Sequence, residues 1–151
     1  MEIVDITSNY ELIKETYMLS MMEWGHKRPL EEYIKDAEGK ALKLIKGNND
    51  KVIFILGLID NNELIGFISL YKYDGDERRE LTPWYATMYV KKEYRGLGYS
   101  KLLNDALKAK AKKLGYTKLY LKSDLKNYYE KFGAIKFDKL SNGEDLFYMD
   151  L

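Results

Sequence analysis

Apolar residues recur along this chain at two spacings, and the changes between them mark its elements. A short apolar stretch from Ile3 to Ile6 reads as a strand. Ile13, Tyr17, Met21 and Trp24 then repeat at helical spacing, and Ser8 and Glu11 stand at the spacing of a capping box. This predicts an amphipathic helix ending at Gly25. The next stretch, "HKRPLEEYIKDAEGKALKLIKG", has Pro29 at a first-turn position, glutamates just after it, lysines near its end and Gly47 as terminator. It predicts a second helix, weakened by Gly39 in its interior.

"KVIFILGLI" and "ELIGFISLYKY" are β-branched and aromatic runs joined by "DNN", whose residues tolerate turn geometry, so an antiparallel hairpin is expected. The first run is almost continuously apolar and belongs in the interior of a sheet. "DGDERRELTP" reads as a polar loop and "WYATMYV" as a strand with Pro83 at its start. Between Leu97 and Leu114, Leu103, Leu107, Ala111 and Leu114 share a helical face, broadened by Leu102 and Ala106. Lys101, Lys108, Lys112 and Lys113 occupy the other face, and Gly115 takes the stop position. A strand "KLYLKS", a short helix near "LKNYYEKFG", a strand "AIKF" and a last strand "DLFYMDL" complete the series. The expected fold class is α/β, with a mixed sheet covered on both faces. No repeat or linker interrupts the series, so residues 1–151 are read as a single domain.

Composition narrows the function classes. With 151 residues and 46% hydrophobic side chains, the chain is long enough for one ordinary core. Its 25 basic and 24 acidic residues nearly cancel, so no global field draws it onto nucleic acid or an acidic membrane, and a small-molecule partner is expected. Cys is absent and His26 is the one histidine, which removes disulfides, thiolate nucleophiles and zinc clusters; no metal is expected. The N-terminus "MEIVDITSNYEL" has no leader pattern and no apolar run approaches the roughly 20 residues of a membrane span, so the expected compartment is the cytoplasm.

The candidate chemistry lies in "EYRGLGYSKLL", where a strand ends, the chain turns through Gly96 and Gly98, and a helix starts. The first N–H groups of a helix lack intrahelical acceptors and carry partial positive charge, so a glycine turn there lets a phosphate approach closely. For a lone G-x-G, a tight strand-to-helix turn with no ligand is the better explanation, since so short a pattern is weak. A Rossmann fingerprint would need glycine at Lys101, and no Walker A loop occurs.

The longer stretch "YVKKEYRGLGYSKLLNDALKAKAKKLGYTKLYL" resembles the acyl-CoA-binding segment of the GNAT superfamily of N-acyltransferases, whose signature is Q/R-x-x-G-x-G/A. Arg95, Gly98 and Ser100 fall on its three positions, Ser100 replacing the usual Gly or Ala. One strand further on, "DLKNYYEKFGAIKF" resembles a second GNAT segment through Tyr129, Glu130, Lys131 and Gly133. The resemblance implies a single-domain fold with a mostly antiparallel sheet of about six or seven strands, about four helices, and a splay at the central parallel pair. It implies acetyl-CoA or coenzyme A as co-substrate. Backbone N–H groups from Arg95, Gly96, Leu97, Gly98, Tyr99, Ser100 and Lys101 would hold the pyrophosphate. Met88, Tyr89 and Val90 would offer backbone groups to the pantetheine arm as to an added strand. Where the family places an Asn that touches pantetheine, this shorter stretch offers Ser123, Asp124 and Asn127 as alternatives.

In the family, the tyrosine matched by Tyr129 protonates the departing thiolate, chemistry that suits a phenol, which ordinarily titrates near pH ~10. The strand "WYATMYV" lacks the Glu that some members carry there; Glu80 and His26 are the candidates for a base, unless water takes the proton. Trp24, His26, Tyr71, Trp84 and Tyr85 are candidates to line the acceptor site, where aromatic faces would suit an amine, and each of the aromatics is equally a candidate for the core. The expected partner is a small-molecule or peptide amine, and a homodimer is compatible with the sequence. The activity implied is direct transfer of an acetyl group to a primary amine. The alternatives are an acyl-CoA sensor of the same fold and an unrelated nucleotide-binding protein.

Overall fold

The computed structural model describes residues 1–151. Seven strands form one sheet: β1 (Glu2–Asp5), β2 (Val52–Asp60), β3 (Glu63–Tyr71), β4 (Trp84–Val90), β5 (Lys118–Ser123), β6 (Ile135–Lys139) and β7 (Asp145–Asp150), in the order β1-β2-β3-β4-β5-β7-β6. Every neighbouring pair is antiparallel except β4 and β5. The helices are α1 (Tyr10–Trp24), α2 (Leu30–Ile45) and α3 (Tyr99–Lys113), with short 3-10 turns at Lys92–Tyr94 and Tyr129–Phe132. The helix expected near "LKNYYEKFG" is thus a single turn. No helix is long and apolar enough to cross a membrane.

The interior strand β2 is apolar on both faces because helices lie on both sides of it. Phe54, Leu56 and Leu58 face Leu103, Leu107 and Ala111 of α3, while Ile55 packs with Ile13 of α1 and Ala41 of α2. Its turn to β3 is made by Asn61 and Asn62, at φ 50° and 64°, the pair of positive angles a tight hairpin needs. Helix boundaries differ from the sequence reading by single residues. Asn9, rather than Ser8, caps α1, its Oδ1 accepting from the Leu12 N–H at 3.1 Å. Pro29 is the N-cap of α2 rather than its first helical residue. The α3 face is narrower than predicted: Leu103, Leu107 and Ala111 are fully buried, whereas Leu102 and Leu114 are exposed.

The join between β4 and β5 positions the site. These strands are matched at a single residue pair, Trp84 with Tyr120, whereas β3 and β4 are matched from Gly66–Val90 to Tyr71–Trp84. Beyond that pair β4 and β5 share no ladder, and the sheet opens toward their C-terminal ends.

Candidate active site

At the open end, β4 runs through the 3-10 turn Lys92–Tyr94 into the glycine turn. Arg95 folds back on the strand it follows: its Nε donates to the Val90 carbonyl at 2.7 Å, its guanidinium lies 5.3 Å from the centre of the Tyr89 ring, and it approaches Glu23 of α1 at 3.5 Å. Gly96 and Gly98 adopt φ of 79° and 85°, the left-handed region that strains an L side chain. A Cβ built on either glycine would meet no atom within 4 Å, so the turn faces open space. Gly98 is the N-cap of the 15-residue helix α3, and no side chain satisfies the N–H groups of its first turn. Free N–H donors, a helix N-terminus and open space in front of glycines suit a phosphate-bearing ligand.

From this turn a cavity of about 570 Å³ extends along the gap in the sheet. One wall is Met88, Tyr89 and Val90 of β4; the other is Leu125, Tyr128 and Tyr129; Gly96, Gly98, Tyr99 and Ser100 close one end, and Trp24 overhangs it from α1. Tyr129 also lines a second cavity of about 310 Å³, with Tyr85, Thr87, Ser123, Asp124 and Glu144 among its other walls. The phenol of Tyr129 is therefore shared between the two spaces. Burial, then the neighbouring Tyr128, raises its pKa above the ordinary 10.0, and its hydroxyl makes no hydrogen bond within the chain. Its ring stands edge-on to Tyr85, with centroids 5.6 Å apart. Tyr85 is buried and its hydroxyl has no hydrogen-bond partner.

The structure brings most of the sequence-predicted site residues together. Met88, Tyr89, Val90, Arg95, Gly96, Gly98, Tyr99, Ser100 and Tyr129 all line the larger cavity. Lys101 lines a separate surface hollow beside α3 with Lys108 and Lys131, and pairs with Asp105. Ser123 lines the smaller cavity, its Oγ accepting from the Leu125 N–H at 3.0 Å. Leu97 and Asn127 are exposed and line neither cavity.

The acceptor-side candidates separate. Trp24 lines both cavities, Tyr85 the smaller one, and Tyr71 a third space beneath α1. Trp84 does not reach any of them: it is fully buried against Leu140 and Leu146, and its Nε1 donates to the Leu81 carbonyl at 2.7 Å. Its place at the one β4–β5 pair makes it a core residue, so of the two readings the sequence offers for Trp84 the acceptor-site one is corrected and the core one stands. His26 lies exposed outside these spaces, where its carbonyl accepts from the Tyr33 hydroxyl. Glu80 lies outside them too, and its carboxylate accepts from the Arg78 Nε at 2.7 Å, which holds its pKa below the usual carboxylate value. Sequence reasoning missed Glu23, Tyr94, Leu125 and Lys131 in the larger cavity and Glu144 in the smaller. Lys131 stands in the second GNAT-like segment, a signal that could have found it; nothing local distinguishes the others, which converge through the sheet order.

Residues 8–134 match the model of the acetyltransferase (GNAT) family. No curated protein sequence matches the chain. Among solved structures it is similar to an aminoglycoside 6'-N-acetyltransferase complexed with coenzyme A, at 18% identity and TM-score 0.72, with 99% of this chain and 97% of the other covered. It is similar to the aminoglycoside 6'-N-acetyltransferase of Enterococcus faecium at 16% identity and TM-score 0.70, over 99% and 97%. It also resembles the PaiA N-acetyltransferase of Thermoplasma acidophilum in complex with coenzyme A, at 19% identity and TM-score 0.63, over the full length of both. The fold with its opened central pair and the family match over most of the length lead to one conclusion: this chain belongs to the GNAT family of acetyltransferases.

Proposed function

We propose that the protein is an N-acetyltransferase that moves an acetyl group from acetyl-CoA directly to a primary amine. The observation that carries this reading is the continuity of the larger cavity, from the glycine turn at the start of α3, along the unpaired part of β4, to the phenol of Tyr129. The coenzyme A complexes of two similar structures support the choice of co-substrate. Bound there, acetyl-CoA supplies the acetyl group as a thioester.

Each part of the chain then has a task. The N–H groups around Gly96 to Ser100 hold the pyrophosphate, with the α3 dipole favouring its charge. The backbone of Met88 to Val90 pairs with the amide-bearing arm in the gap. As the N–C bond forms and the C–S bond breaks, Tyr129 gives its phenolic proton to the sulfur, and the proton lost from nitrogen restores the phenol through solvent. The absence of cysteine agrees with direct transfer, since no acyl-cysteine can form. Glu80, bonded to Arg78 away from the gap, is not the base; Asp124 and Glu144, which share a cavity wall with Tyr129, are better placed to steer the ammonium proton outward.

The test is thiol release from acetyl-CoA across a panel of primary amines, with the acetylated product identified by mass. Saturable coenzyme binding with no turnover on any amine would overturn the enzymatic reading in favour of a sensor.

A further inference from the structure

Beneath α1 lies a third cavity, of about 260 Å³, whose walls are rich in hydroxyls: Thr16, Tyr17 and Ser20 from α1, Ser69 and Tyr71 from β3, and Thr87 from β4. No carboxylate lines it, and its one charged wall residue is Lys40 of α2. It shares Trp24 and Thr87 with the cavity beside Tyr129, so the two spaces adjoin. The volume falls below the range usual for drug-sized ligands, about 300–1,000 Å³, which limits an occupant to a small molecule.

The charges around this chamber are unbalanced. Lys40 Nζ stands 5.8 Å from the centre of the Tyr17 ring, and Lys51 Nζ stands 5.0 Å from the centre of the Tyr71 ring. Neither ammonium reaches a carboxylate at ion-pair distance. The carboxylate that faces this region is Asp74, half-buried, its pKa raised by burial against the pull of Lys122 and Lys51; Glu144 acts on it from further off. Lys122 and Glu144 both line the adjoining cavity and offset each other, so at the chamber itself Lys40 and Lys51 stand against the single carboxylate of Asp74.

Two consequences follow for an acceptor. A cationic group entering the chamber meets like charge, and the Tyr17 and Tyr71 rings that could hold it are already occupied by Lys40 and Lys51, leaving Trp24 at the chamber's exposed side. An anionic group meets ammonium charge and the hydroxyls of Tyr17, Ser20, Ser69, Tyr71 and Thr87, which can donate to a carboxylate oxygen, while the Thr16 hydroxyl already donates to the Ile13 carbonyl at 2.7 Å.

We infer that the acceptor is a small primary amine that also carries a carboxylate, with the carboxylate seated in the hydroxyl chamber between Lys40 and Lys51 and the amine directed past Thr87 toward Tyr129. This inference rests on the acetyltransferase reading and deepens it. It separates this chain from an acceptor preference for polycationic amines, whatever the likeness in fold to aminoglycoside acetyltransferases.

Matched sets test it: each common α-amino acid, its carboxamide, and the amine left by decarboxylation. Each is titrated calorimetrically into the protein loaded with coenzyme A, and each is assayed for acetyl transfer. The best set is expected to show at least about tenfold tighter binding of the acid than of its amide, a difference of about 1.4 kcal/mol. The double variant Lys40→Met, Lys51→Met should abolish that preference while leaving the amide's affinity and that of coenzyme A unchanged. Amides or decarboxylated amines that bind or react as well as the acids, a preference that survives the double variant, or no binding by any member would each overturn the inference. Acid-selective binding without acetyl transfer would instead remove the acetyltransferase reading and leave the anion chamber standing. Transfer to amines without acid preference would do the reverse.

Discussion

Replacing Tyr129 by phenylalanine removes a single oxygen and leaves the packing of its ring. The ring keeps its edge-on contacts with Tyr85, at 5.6 Å, and with Tyr128, at 4.8 Å. Because the hydroxyl bonds to nothing in the chain, its loss strands no buried partner, and the change in stability should stay within about 0.5 kcal/mol. That corresponds to a Tm shift of no more than about 2 °C for a chain of this size. The chemical step should respond very differently. Burial and Tyr128 raise the phenol's pKa, so at neutral pH it is fully protonated and available as an acid. A positioned general acid contributes about 10²–10⁴ in rate, or about 2.7–5.5 kcal/mol of barrier. The assay is kcat for thiol release at saturating amine, with coenzyme Kd by calorimetry and Tm measured on the same preparations. A large fall in kcat with Kd and Tm unchanged is the expected result. A kcat within about threefold of the parent would refute the acid's assignment, and a matching loss of coenzyme affinity would recast Tyr129 as a binding residue. The raised pKa also fixes a sign: the acid form is complete below the folded-state value and lost as pH rises through it. An alkaline limb set by Tyr129 therefore lies above pH 10.0, and a limb at lower pH belongs to another group.

Gly98→Ala places a side chain at φ 85°, which costs about 1–2 kcal/mol and lowers Tm by about 2–8 °C; coenzyme affinity should fall at least about tenfold in calorimetry, and unchanged affinity would take the glycine turn out of the coenzyme site. Asp145 is buried beneath Lys126, Lys136 and Lys139 at 2.7, 3.2 and 3.3 Å, and hydrogen bonds from Lys126 and then Lys136 hold its pKa well below 3.8. A depressed carboxylate stabilises the fold above its unfolded value and ceases to do so as pH falls through the folded one. Melting curves should therefore show Asp145→Asn destabilised fully at about pH 5–7, with the gap to the parent closing as pH falls below 3.8. Trp84→Ala empties a fully buried site and should cost about 3–5 kcal/mol in urea unfolding; a cost near zero would contradict its place in the core.

The elements whose signals are local were legible in the sequence. The β2–β3 hairpin follows from two β-rich runs and an Asn-Asn turn, and α3 follows from Leu103, Leu107 and Ala111 at helical spacing. The cap of α1 lies one residue from the expected place because Ser8 and Asn9 are both good caps, and which of them the backbone presents to the Leu12 N–H depends on how the chain leaves β1. Trp84 is left undecided by its sequence context because an aromatic at a strand start looks the same whether it faces a cleft or closes a core; the β5 partner that decides it is far away in the chain. The glycine turn is readable as an anion site, but not that the Arg95 side chain turns back onto Val90. The gap between β4 and β5, being an absence of backbone pairing, has no side-chain signature of its own and is readable only through the resemblance of the neighbouring segments to a family.

That gap also bears on self-association. Unpaired strand margins are the places where one protein chain adds to another and aggregation begins, and most folds have them at the outside of a sheet. This sheet carries two further margins in its middle, recessed between Trp24 on one side and Tyr128 and Tyr129 on the other. A recess of that shape admits a slender chain and turns away a whole strand with its side chains. Of the sheet's two outer strands, β6 bears Lys136, Asp138 and Lys139, charges that discourage stacking by another copy. The amides exposed for a ligand are thus kept from other proteins by shape at the centre and by charge at the rim. A Trp24→Gly variant, which widens the recess, should reveal itself first as concentration-dependent aggregation in light scattering.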